Sequence, residues 1–104
     1  MKQLVSPVER FPGTVMLPDA FNWDQLAAWE ASIEETDAAK GTIGMLRAQV
    51  RSLVGMGLVW HIRGIPEAPT PETFPTRPLA AISELIGWLF REVTREVMAD
   101  DPNA

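Results

Sequence analysis

Few residues in this chain could do chemistry, and the familiar catalytic arrangements are incomplete. His61 is the single histidine, and there is no cysteine. One imidazole cannot assemble a His- or thiolate-based metal site or a nucleophile–base pair. His61 therefore reads as a surface or partly buried ring. Glu30, Glu34, Glu35 and Asp37 crowd one stretch. A general acid/base pair needs two carboxyl groups facing a cleft, with their pKa values driven apart. Acids packed this densely read instead as the solvated face of a helix. No glycine-rich phosphate loop, nucleophile elbow or carboxylate metal loop is present. The chain reads as a non-enzyme with no cofactor, no metal and no small-molecule substrate.

What it could do is bind. Four tryptophans and no tyrosine is an unusual aromatic choice for 104 residues. Tryptophan and arginine are enriched at contact hot spots. Trp88 lies on the charged side of its segment, among Glu84, Arg91, Glu92 and Arg95. Either another part of the chain folds over it, or it is an exposed anchor flanked by Arg91 and Arg95. Trp60 reads as core. Trp23 and Trp29 straddle an apolar stripe, so at least one belongs inside. Trp29, Trp60 and Phe74 join Trp88, Arg91 and Arg95 as candidate partner-binding residues.

Helices must position these side chains. Proline divides the chain, because it breaks helices. Pro7, Pro12 and Pro18 lie in the first eighteen residues, and five more fall within GIPEAPTPETFPTRP (64–78). Residues 19–65 and 79–101 have none. Residues 1–21 read as an extended arm or hairpin, with VERF and TVML flanking a type II turn at Pro12-Gly13. Asn22 is an N-cap with Gln25 three residues on, and Phe21 and Leu26 form a staple across that start. The first helix runs to about Ala39, with Gly41 as its stop. A second helix covers about 42–60, with Ile43, Leu46, Val50, Leu53 and Val54 on one face. Gly55 and Gly57 weaken its last third, which favours helix through Val54 and leaves 55–62 open between helix and strand. Residues 63–77 read as a stiff, polyproline-like spacer. The last helix covers 78–98. Leu79, Ile82, Leu85, Ile86, Leu89, Phe90, Val93 and Val97 make its broad apolar face. Asp100 and Asp101 have the wrong sign for a helix C-terminus, so it should fray by Met98. The fold expected is mainly α: one small domain of about three helices, with an extended or hairpin N-terminal segment and a Pro-rich spacer before the last helix.

Charge bounds the partners. The net charge is −5, which argues against a sequence-independent nucleic-acid binder. No apolar run is long enough to span a bilayer, and MKQLVSPVERFPG lacks the apolar core of a secretory signal. The expected location is a cytoplasm. The first helix is acidic, the second carries Arg47 and Arg51 with no acid, and the third is acidic again. That order favours the middle helix sitting between the others, and equally suits contacts between copies.

Three stretches carry a resemblance: RFPGTVMLPDAFNWDQLAAWE (10–30), WHIRGIPEAPTPETFPTRP (60–78) and SELIGWL (83–89). Together they resemble the small tail assembly chaperones of long-tailed phages and prophages. The matching elements are Phe11-Pro12-Gly13, Leu17-Pro18-Asp19, Trp29, Trp60 with Gly64, Phe74-Pro75 and Trp88-Leu89. The resemblance implies a protein that coats the tape measure protein, keeps it soluble while the tail tube polymerises, and is left out of the mature virion. It implies the host bacterial cytoplasm, and the tape measure protein and further copies of the chain as partners. In many relatives a frameshift adds a C-terminal extension, and this chain would be the short form. It transfers no defined contact residues. A helix-binding holdase needs apolar grooves and a soluble exterior. The spacer would set how far the last helix can swing towards a neighbour. The competing readings are a small acidic phage-encoded inhibitor or antitoxin of one host protein, and a structural tail or connector subunit.

Overall fold

Alternation of apolar residues with period two builds a sheet that the helical signals overshadow. The computed structural model describes residues 1–100. Three strands form: β1 (Lys2–Val5), β2 (Gly13–Leu17) and β3 (Val59–Ile62). They pair antiparallel in the order β1-β2-β3. Leu4 faces Val15, and Val15 faces Trp60, so one row of buried side chains crosses the sheet. Leu17 and Ile62 are buried with them. Gln3, Val5, Thr14, Met16, Val59 and His61 alternate onto the other face, where they are exposed or half-exposed.

This corrects the expectation of a mainly helical protein: the fold is mixed, three helices on a three-stranded antiparallel sheet. Val59–Ile62 makes the difference. Gly55 caps the preceding helix, and Gly57 turns the chain at φ +71. The β-branched and aromatic run VWHI then finds its partner strand more than forty residues upstream. Strand preference depends on such neighbours and not on local backbone bias.

The N-terminal hairpin exists, but not with the expected turn. Its first strand is KQLV, not VERF, and residues 6–12 form the connection. Ser6 N–H donates to the Gly13 carbonyl at 2.9 Å, and Phe11 N–H to Val8 at 3.1 Å. Val8 and Phe11 turn inward and are buried.

Helix α1 (Trp23–Ala38) starts at a complete capping box. Gln25 N–H donates to Asn22 Oδ1 at 2.8 Å, and Asn22 N–H to Gln25 Oε1 at 2.9 Å. Helix α2 (Gly41–Val54) ends at Val54, the end favoured from the sequence, and the residues left open at 55–62 form a turn followed by β3. Helix α3 (Leu79–Asp100) runs past Met98, where fraying was expected; Asp101 lies outside the described residues. Ile82, Leu85, Ile86, Leu89 and Val93 of α3 are fully buried. Its apolar stripe therefore belongs to one core cluster with the buried side chains of the sheet. Helix α2 packs on both α1 and α3, and Arg51 donates to Glu35 of α1 at 2.8 Å.

The Pro-rich stretch does not stand off as a spacer. Ile65, Pro69 and Phe74 are buried. Between them a tight turn closes on itself: Thr70 N–H donates to Thr73 Oγ1 at 2.8 Å, and Phe74 N–H to the Thr70 carbonyl at 2.9 Å. Prolines suit this course because their missing N–H groups need no partner.

Candidate interaction surface

The sequence-derived binding residues separate into three groups. Trp29, Trp60 and Phe74 are core, which corrects their candidacy as partner contacts. Trp29 is 3% exposed and lies against Phe90 of α3, with ring centroids 4.9 Å apart. Trp60 and Phe74 meet edge to face at 5.8 Å. Aromatic rings buried this way contribute area and geometry to folding. Trp88 is half-buried and packs against the core. It is therefore not the fully exposed anchor that its charged neighbours suggested. Arg91 and Arg95 are exposed. They flank a shallow depression with Phe90, Thr94 and Met98, and Arg95 reaches Glu92 at 3.3 Å.

The residues set aside as non-catalytic are placed as follows. Glu30, Glu34, Glu35 and Asp37 are all exposed along α1. His61 points from β3 onto the open face of the sheet. Among the described residues, no three His, Asp or Glu side chains converge as a metal site would require.

A different apolar site emerges between α2 and α3. Leu46 and Val50 from α2 and Ile82 and Ile86 from α3 line a groove of about 70 Å³. Pro71, Phe74 and Pro75 close one side, and Arg47 stands at the rim. The mouth is formed by Ile43, 52% exposed, and Leu79, 43% exposed. Both residues were legible as members of helical stripes. Their exposure was not, because each sits in the first turn of its helix, where the stripe overruns the core. Trp23 is the third large apolar residue at a helix start and is 88% exposed. It is the tryptophan of the α1 pair that stays outside.

The arrangement is that of a small mixed α/β protein with a narrow apolar groove and scattered exposed apolar side chains. Compared with known protein families, curated proteins and solved structures, the chain matches none. Among the described residues no helix is long and apolar enough to cross a membrane.

Proposed function

We propose that this chain is a non-catalytic binding protein that acts as a tail assembly chaperone of a long-tailed phage or prophage, holding the tape measure protein in the host cytoplasm. The observation that carries the reading is the α2–α3 groove with Ile43 and Leu79 at its mouth. An amphipathic helix docks by inserting a few apolar side chains at helical spacing into such a groove. The site is small, so each copy binds weakly, and many copies acting along one long client hold it without preventing release. The net charge of −5 keeps the coated complex soluble. The stretches that resemble tail assembly chaperones also shape this body: Phe11, Trp29, Trp60, Phe74 and Leu89 are all buried.

Co-expression with the tape measure protein tests the reading. The client should become soluble only when the chain is present, and should be recovered with several copies of it. A tight one-to-one complex with a single host protein would replace this reading with that of an inhibitor or antitoxin. Detection of the chain in purified virions would replace it with that of a structural subunit.

A further inference from the structure

Three arginines from distant parts of the sequence line one cleft. Arg10 lies in the β1–β2 connection, Arg63 directly follows β3, and Arg77 lies two residues before the start of α3. All three are exposed. The cleft is open to solvent, measures about 410 Å³, and has Phe11, Pro12 and Pro78 as apolar walls and Glu9 at its rim. Among the described residues, ion pairs engage Lys2, Arg51, Arg95 and the N-terminal amine. None engages Arg10, Arg63 or Arg77. Among the described residues, an acidic chain thus gathers three guanidinium groups without an ion-pair partner in one place.

The scaffold beneath them is built. Arg63 N–H donates to the Pro12 carbonyl at 2.9 Å, which ties the β1–β2 connection to the end of β3. Gly64, at φ +91, brings the backbone against the Phe11 ring; a Cβ there would lie 3.3 Å from that ring. The arginine stems therefore leave a fixed surface.

We propose that the Arg10–Arg63–Arg77 cleft binds the carboxylates of an acidic peptide segment of a partner protein. Guanidinium groups match carboxylates in a two-bond fork, and the apolar walls take up the methylenes of Glu side chains. The cleft is too large for one small inorganic anion to span. A nucleic-acid backbone would need an extended basic footprint, and this chain is acidic overall with Glu9 beside the cleft. The proposal stands on this cleft alone, whatever the α2–α3 groove holds.

The test titrates the full chain into a short fluorescein-labelled peptide of alternating Glu and Gly, with its Gln–Gly twin, inorganic phosphate and oligo-dT as comparison arms. The Glu peptide should bind at low ionic strength, weaken with added salt, and outcompete the twin. It should shift the backbone amide signals of Arg10, Arg63, Gly64 and Arg77 in an NMR titration, which needs no variant. Arg10→Gln, Arg63→Gln and Arg77→Gln together should weaken it roughly ten-fold, the sum of three exposed pairs, whereas Arg91→Gln should leave it unchanged. Arg77→Glu alone should give a smaller loss if the triple variant folds poorly. The proposal is overturned by no binding, by equal binding of the twin, or by amide shifts elsewhere. It is equally overturned if oligo-dT binds as tightly or phosphate displaces the peptide at equal concentration.

Discussion

Trp60 and Phe74 meet with ring centroids 5.8 Å apart and planes at 75°, and this contact fastens the Pro-rich segment to the sheet. Trp60 belongs to the buried row that also holds Leu4 and Val15. Phe74 joins Ile65 as a side chain that the proline-dominated stretch contributes to the same core. The segment's position before α3 thus depends on this packing and not on stiffness alone. Phe74→Ala should destabilise the protein by about 3–5 kcal/mol, the usual cost of removing a buried phenyl ring. Urea unfolding should show the midpoint falling with little change in slope. A loss below about 1 kcal/mol would mean that the segment is not held through Phe74.

Gly13, at φ +139, shares the positive-φ strain of Gly41 and adds a close approach. A Cβ on Gly13 would sit 2.1 Å from the His61 carbonyl oxygen, inside the β2–β3 pairing. At Gly41, φ is +78 but nothing lies within 4 Å of the same position. Gly41→Ala should therefore cost about 1–2 kcal/mol, the strain of a left-handed residue. Gly13→Ala should cost more than that, because backbone must move and the strand pairing with it. Thermal unfolding of the two variants side by side checks the order. Equal shifts would show that the close approach at Gly13 relaxes freely.

Local signals survived into the structure and long-range ones did not. Asn22 and Gln25 lie three residues apart and declare a helix start on their own, and α1 begins there. The stripe of α3 repeats over several turns, and its central members are buried. The identity of Val59–Ile62 as a strand depends on β2, far upstream, so the run of residues alone left it open. Burial of the aromatic candidates was legible in part: Trp60 reads as core and is buried, whereas the sequence did not say which of Trp23 and Trp29 the fold consumes. The basic cleft was invisible because Arg10 and Arg63 become neighbours only through sheet pairing, and Arg77 joins them only through the course of the Pro-rich segment.

The capping box at α1 gives a third measurable contribution. Both of its hydrogen bonds form at an exposed helix end, so no buried packing complicates the reading. Asn22→Ala should cost about 1 kcal/mol, and Gln25→Ala less, since Asn22 Oδ1 would still accept its backbone bond. The double variant should lose less than the sum of the two, because each bond orients the other's partner. Additive losses in a double-mutant cycle would mean that the two bonds act independently.

Ile43 and Leu79 distinguish a binding groove from a loosely closed core. Each is about half exposed, so replacing it with a polar residue exposes no buried partner. Ile43→Asn with Leu79→Gln should change stability by no more than about 1 kcal/mol. Under the proposed function client capture should fall much further, since a helix docked there would make its apolar contacts at the mouth of the groove. Trp23→Ala is the matched control. It removes the most exposed large apolar side chain and should change neither stability nor capture. Solubility of the co-expressed tape measure protein reads capture, and urea unfolding reads stability. If capture persists with the groove mouth made polar but fails with Trp23→Ala, the client sits at the start of α1 and the α2–α3 groove is not its site.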